Sequence, residues 1–352
     1  MDHTIEDKKS QLLDKEHDNV SAARKKDHIE MAFQSQIADG TLDKRFYYEP
    51  ILSGHPSIED LPSIDFLGKK MKAPLWISSM TGGTKEALNI NHNLAKACGE
   101  FGLGMGLGSC RALLYSDDRL EDFNLRPIIG ENSPFFANLG VAQLEELMEK
   151  NGLHLVNDMV TKLQADGLII HVNPFQEWLQ PEGDHFKKPP ITIIQQCLDF
   201  FDFSIIVKEV GQGMGPKSLE SLMQMPLAAI DFAASGGTNF SMLELLRASD
   251  DDRKHYLPLA HQGHSAEEMV GFVNDCSFNA DQIKCQEYII SGGVKNFLDG
   301  YYLSNRLQHK AVYGQASAFL KHARGSYEEL RKFVQAQLEG LAIANAYLTV
   351  RK

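Results

Sequence analysis

The stretch GLIIHVNPFQEWLQPEGD, residues 167–184, changes character at one point. Residues 168–170 are apolar without alternation, and then His171, Asn173, Gln176, Glu177, Glu182 and Asp184 crowd the positions that follow. An apolar run of this kind suits a strand buried on both faces, as in a parallel sheet covered by helices. Residues two apart in a strand share a face, so His171 and Asn173 point the same way. Two readings stand side by side. Either Asn173–Pro174 is a turn in a solvated loop and His171 a core residue, or the strand runs out at the floor of an active site.

Outward from this stretch the same rhythm recurs. PLWISSM (74–80), GLGMGLG (102–108), FFANLG (135–140), SIIVKEV (204–210), LAAIDFA (227–233), EYIISGG (287–293) and AVYGQASAF (311–319) bring the strand-like runs to eight. Helical patterns lie between them, such as EALNINHNLAKACGEF, VAQLEELMEKN, PPITIIQQCLDFF and SAEEMVGFVNDC. Alternating strands and helices in this number predict an α/β fold, a (β/α)8 TIM barrel, with a doubly wound open sheet as the competing arrangement. Nearly every run ends in small or polar residues, and in a barrel all those tips meet at the C-terminal face, where active sites are built. Residues 1–20 read as a disordered polar tail, and 21–352 as one barrel domain with an N-terminal helical arm around SAARKKDHIEMAFQSQ. FYYEPIL reads as a short strand, 238–265 as an insertion or lid, and 326–348 as a terminal helix.

Composition narrows the partners. The chain has 352 residues, 43% of them hydrophobic, enough for a large core. No apolar run is long enough to span a membrane, and the charged N-terminus lacks a signal-peptide core, so the cytoplasm is the expected compartment. Five scattered cysteines without a CxxC pair favour free thiols over disulfides or zinc. A net charge of −12 argues against nucleic-acid binding, so an anionic small molecule must be held by local basic groups and backbone N–H donors.

Several clusters fit that requirement. SGGT (235–238), SGGV (291–294) and YGQAS (313–317) follow predicted strands, and paired glycines let backbone N–H groups turn toward an anion. Gly292, Gly293, Gln315 and Ala316 fall where barrels commonly cradle phosphate. MTGGT (80–84) offers backbone donors and the Thr81 hydroxyl to a flat ring, and Asn138 can bond such a ring's polar edge. Lys208 interrupts an apolar strand, where its charge must be paired with a carboxylate or used on a redox ring. Arg24, Lys25, Lys26 and His28 form a basic patch that, with Ser109 and Arg111, suits a second phosphate group or is simply a solvated face. In the opening stretch Glu177 is a hard oxygen ligand suited to Mg²⁺, and His171 can titrate or meet phosphate.

On these residues the chain resembles the type 2, FMN-dependent isopentenyl-diphosphate isomerases. The resemblance runs through RKKDHI (24–29), PLWISSMTGG (74–83), GLGSCRALL (106–114), ANLG (137–140), HVNPFQEWLQPEGD (171–184), KEVGQGM (208–214), SGGT (235–238) and ISGGV (290–294). It implies FMN at the C-terminal face, contacted by Ser79, Met80, Thr81, Ser109, Asn138, Lys208 and Thr238. It implies a phosphate cradle of Gly292, Gly293, Lys295, Gln315 and Ala316. The substrate diphosphate would meet Arg24, Lys25, His28, Arg111, His171 and Asn173. Mg²⁺ would bridge to Glu177, and Gln176 would lie beside the allylic carbons and share in proton transfer. The implied reaction is a 1,3-allylic proton shift between isopentenyl and dimethylallyl diphosphates, with FMN reduced through NADPH, in a homo-oligomer (tetramer or octamer) without nucleic-acid or membrane partners.

The chain also departs from that pattern. Ala234 replaces the first glycine of the strand-six loop, and GGVKNF places Lys295 where arginine is usual and Phe297 where glycine is usual. Lysine lacks the bidentate fork, and a phenylalanine at positive φ would be strained. Other readings are an FMN barrel oxidoreductase of the 2-hydroxy-acid oxidase or dehydrogenase type, a dehydrogenase with Cys110 as nucleophile, and a non-catalytic phosphate-binding barrel. The first requires a His–Arg pair near the strand-seven tip, which reads SGGVKN instead.

Overall fold

Eight parallel strands close on themselves in a computed structural model that describes residues 21, 23–79, 85–276 and 280–351. They are β1 (Leu75–Ile77), β2 (Gly104–Gly106), β3 (Phe135–Gly140), β4 (Gly167–His171), β5 (Ser204–Lys208), β6 (Ala229–Asp231), β7 (Glu287–Ser291) and β8 (Lys310–Gln315). The ring closes through Gly314 of β8 beside Trp76 of β1, and Asp231 of β6 beside Ile289 of β7. Each of the eight apolar runs is a strand, and closure excludes the open sheet. The tail 1–20, Met80 and Thr81 lie outside the described residues.

Side-chain size sets the barrel interior. Trp76, Phe136, Ile169, Ile206, Ala229, Ile289 and Val312 form one buried cluster with Phe66 and Met71 of a hairpin (Ile64–Phe66 and Lys69–Met71). Trp76 fills the space beside β2, where a Cβ on Gly104 would overlap its ring, so the small residues of GLGMGLG make room for one large one. Two residues further along each strand the inward side chains change chemistry. After Trp76 comes Ser78, after Gly104 Gly106, after Phe136 Asn138, and after Ile169 His171. Lys208, Asp231, Ser291 and Gly314 follow Ile206, Ala229, Ile289 and Val312 in the same way. A dry core is therefore capped by a layer of polar groups and glycines at the C-terminal face.

The region 238–265 consists of two helices, Phe240–Arg247 and Asp250–Ala260, whose N-caps Asn239 and Ser249 accept from Met242 N and Asp252 N. The first packs on Pro174–Leu179, the helix that follows β4. The terminal helix is Tyr327–Tyr347, with Leu330, Val334, Leu338 and Leu341 as its buried stripe.

The chain divides into two compact units, one reaching to Phe46 together with Arg351, the other running from Tyr47 to Val350. In the first, residues 23–31 are helical, and Arg351 is tied in through its N to Arg45 O (2.9 Å) and its Nε to Phe46 O (3.0 Å). Phe46–Tyr48 is extended, as FYYEPIL predicts.

Candidate active site

The polar layer is organised around β3, β4 and the helix after β4. Asn138 Nδ2 donates to Ser79 Oγ at 3.0 Å, which turns its Oδ1 toward His171 Nδ1 at 2.7 Å. In this arrangement Nδ1 carries the hydrogen and Nε2 presents a lone pair. Burial, and secondly the Lys208 ammonium, push His171 down to about 4, so the ring is neutral at pH 7. A Cβ on Gly140 would overlap Gln143 Oε1 and lie 2.8 Å from His171 Nε2, so any side chain there would displace both groups.

Asn173 begins the helix Pro174–Leu179 and is buried. Its amide donates to Gln176 Oε1 at 3.0 Å and to Glu177 Oε1 at 2.9 Å, which leaves its own Oδ1 without a partner. The other end of Gln176 donates to Glu244 Oε1 at 3.3 Å, and Glu244, itself buried, is paired with Arg247. Glu177 Oε2 accepts from Asp184 N at 2.8 Å. Asp184 in turn accepts from Gln143 Nε2 and pairs with Arg111 at 3.5 Å, so the PEGD turn is folded back onto the site. Gln176 is thus gripped from both sides, a feature that needs Glu244 from a distant part of the chain.

On the opposite side of the mouth the β6, β7 and β8 tips enclose a cavity of about 470 Å³ built mainly from backbone. Gly292 (φ +84°) and Gly293 (φ +72°) are left-handed, and a Cβ on Gly292 would overlap the backbone of Ala234. Ala234 itself has no left-handed φ, and its N donates to Ser291 O at 2.8 Å, so a methyl is tolerated there. Lys208, Ser79, Thr238, Gln315, Ala316 and Lys295 line the cavity. Ser78 Oγ and Gln315 Oε1 are buried without partners. Lys208 Nζ donates to Glu209 O at 2.6 Å, and Glu209 Oε2 accepts from the N–H groups of Gly211, Gln212 and Gly213, fixing the loop after β5. Burial pushes both Glu209 and the neighbouring Asp231 upward, and Asp231 accepts from Ser291 Oγ.

Phe297 does not carry the strain that the loop pattern predicts. It lacks a positive φ and opens the helix Phe297–Arg306, capped by Asn296, with its ring against Gly340 of the terminal helix. Ser109 and Arg111 are exposed at the β2 tip. Cys110 between them is buried, bonded to Gly108 O and pushed up to about 12, which removes it as a nucleophile. Arg24, Lys25 and His28 are exposed on the helix of the first unit. Among the described residues no group of three metal-ligating side chains occurs, and no helix is long and apolar enough to cross a membrane.

With this geometry in view, relatives decide the family. The chain is 34% identical over 333 residues to the isopentenyl-diphosphate delta-isomerase of Rickettsia felis, covering 92% of each. It is 31% identical over 338 residues to that of Rickettsia typhi, covering 93% of this chain and 94% of the relative. The chain belongs to the isopentenyl-diphosphate delta-isomerase family. No protein-family model matches it. In fold it is similar to a flavocytochrome b2 mutant with benzoylformate (TM-score 0.59, 12% identity, 86% of this chain and 72% of that one). It is also similar to a mandelate oxidase mutant with an FMN adduct (TM-score 0.50, 12% identity, 86% and 82%). Membership of the isomerase family agrees with the tract HVNPFQE, whose side chains form the gripped cluster at β4.

Several residues of this site escape a linear reading. Glu244 carries no motif of its own, and Ser78, Glu209 and Ser291 lie inside the tracts PLWISSMTGG, KEVGQGM and ISGGV without being singled out there. The inward alternation of β1, β6 and β7 flags Ser78, Asp231 and Ser291.

Proposed function

We propose that the chain interconverts isopentenyl and dimethylallyl diphosphates by a 1,3-allylic proton shift, using reduced FMN and Mg²⁺, with NADPH as the source of reduction. The observation that carries this reading is the fixed amide of Gln176, held by Asn173 and Glu244 on a helix that packs beside the one bearing Phe240 at the cavity wall. The cavity suits a flavin: glycine backbone leaves room for a phosphate, and the orphaned Ser78 Oγ and Gln315 Oε1 wait for donors or bridging groups. Ser79, Asn138, Lys208 and Thr238 would meet the ring, with Met80, Thr81 and Ser109 beside it. Gly292, Gly293, Lys295, Gln315 and Ala316 would meet the phosphate.

When bound, reduced FMN supplies electron density that stabilises the positive charge built up when an unactivated alkene is protonated. The chain's own residues do the rest. Gln176 is a neutral amide that can share in moving the proton without the nucleophilic carboxylate that would trap a cation. Asn173 and Glu244 stop it rotating. Glu177, with Asn173 on one oxygen and the Asp184 N–H on the other, would offer its remaining lone pairs to Mg²⁺, whose charge would help to hold the diphosphate. His171 Nε2, neutral in the free protein, would take up a proton or meet a protonated phosphate oxygen. Arg111 and Asn173 would complete the diphosphate site on the barrel. We further propose a cytoplasmic homo-oligomer.

The hydroxy-acid oxidase reading shares this fold, but the β7 tip holds Gly292, Gly293, Val294 and Lys295 instead of a His–Arg pair. The test is direct. The purified protein should show a flavin spectrum, and after anaerobic reduction with Mg²⁺ it should convert isopentenyl diphosphate to its allylic isomer. Bound flavin without isomerisation, but with oxidation of a 2-hydroxy acid, would overturn the proposal.

A further inference from the structure

Charge around the glycine-lined cavity is one-sided. Its wall contains three lysines, Lys208, Lys295 and Lys321, and no Asp or Glu, although the whole chain carries −12. Lys208 is already committed, since its ammonium donates to Glu209 O and lies beside Asp231 across the β5–β6 pair. The other two stand at the glycine end. Lys295 follows the Gly292–Gly293 turn, and Lys321 sits on the helix Ser317–Ala323, one turn after Ser317, so both side chains share the helix face that lines the cavity. Among the described residues neither Lys295 nor Lys321 is in an ion pair. Across a cradle of backbone N–H groups these two ammonium groups place a twofold positive charge that no ion pair engages among the described residues.

We propose that Lys321 is a second ammonium for the terminal phosphate of the flavin, acting with Lys295 so that two point charges match one dianion. This rests on the flavin reading above. A single lysine keeps the charge of a guanidinium but not its fixed fork; a pair of lysines on separate elements matches the twofold charge of the phosphate and constrains it from two directions. Ser317 Oγ, one turn before Lys321, supplies a neutral donor to the same group.

The experiment separates phosphate from ring. The full chain, stripped of flavin, is titrated with FMN and with riboflavin, which lacks the phosphate, and binding is followed by quenching of flavin fluorescence. Lys321→Gln should raise the FMN dissociation constant about tenfold and leave that of riboflavin unchanged. Lys321→Arg should stay close to the parent, and the Lys295→Gln/Lys321→Gln pair should bring FMN down toward riboflavin. Unchanged riboflavin binding also certifies that each variant is folded. If the parent prefers FMN and Lys321→Gln keeps that preference, the assignment of Lys321 is wrong while the flavin reading stands. If the parent binds neither flavin, both fall.

Discussion

The β4 tip and the tips of β6 to β8 face each other across one barrel mouth and are built on opposite principles. At β4 the work is done by side chains, and nearly every polar group is already engaged: Asn138 with Ser79 and His171, Asn173 with Gln176 and Glu177, Gln176 with Glu244. At β6 to β8 the wall is mainly backbone and the turns are glycines, and Gln315 Oε1 there and Ser78 Oγ at the adjoining β1 tip are left unpartnered. A preformed side-chain network costs no reorganisation when a transition state forms, which suits the place where bonds change. A backbone cradle with open valences suits a group that arrives once and stays. The difference teaches which face tolerates which mutation. Side-chain substitution should hurt rate on the β4 side, and added bulk should hurt binding and folding on the other.

The hardest test of that contrast is Gly292→Ala. A single methyl at φ +84° overlaps the Ala234 backbone, which is pinned by its bond to Ser291 O. Left-handed strain and overpacking together should cost about 3 kcal/mol or more in chemical denaturation, with loss of flavin retention. A variant that keeps its yellow colour and its midpoint would show that the cradle yields as readily as side chains do. Next in size is Asn173→Ala. It frees both Gln176 and Glu177, and turnover should fall about a hundredfold while FMN affinity holds. An equal loss of FMN affinity would merge the two sides of the mouth into one.

His171 gives a smaller and sign-specific effect. Its folded value of about 4 lies below the ordinary value near 6.5, so the folded chain holds fewer protons than the unfolded one between those limits. Stability present at pH 7 is therefore lost as pH falls from about 6.5 toward 4. Glu209 and Asp231, raised by burial, act in the opposite sense and are common to parent and variant. Unfolding measured at pH 7 and pH 4.5 should give His171→Gln a pH dependence flatter by on the order of 2 kcal/mol. Parallel slopes for the two proteins would mean that the ring is not held neutral by its surroundings.

How much of this was legible in the chain depends on sequence separation. The strand runs, their polar ends and the cluster at 171–177 are local, and periodicity and tip chemistry expose them directly. Even the inward layer of Asp231 and Ser291 is implied by alternation once the barrel is closed. The partners are not local. Gln176 meets Glu244, and Asn138 meets His171, only because barrel closure and the turn of one helix bring them together. Glu182 and Asp184 look alike in the PEGD turn, yet only Asp184 bonds back to Gln143 and Arg111. Loop direction, which no residue type encodes, decides between them.

Phe297 shows the same limit from the other side. Read against a glycine pattern it threatens the phosphate loop, yet its ring lies on Gly340 and forms no part of the cavity wall. Helix Phe297–Arg306 starts one residue after Asn296, whose side chain accepts from Leu298 N and Asp299 N, and this turns the aromatic ring toward the terminal helix. Phe297→Ala should therefore cost about 2 kcal/mol of stability, the value of a partly buried aromatic side chain, and leave the FMN dissociation constant unchanged. A weakened flavin at undiminished stability would place Phe297 in the cradle after all, and the division between a backbone-built phosphate side and a side-chain-built reaction side would have to be redrawn there. A lost midpoint with intact flavin binding confines this departure to packing, and leaves lysine-for-arginine at 295 as the change that the cradle itself must absorb.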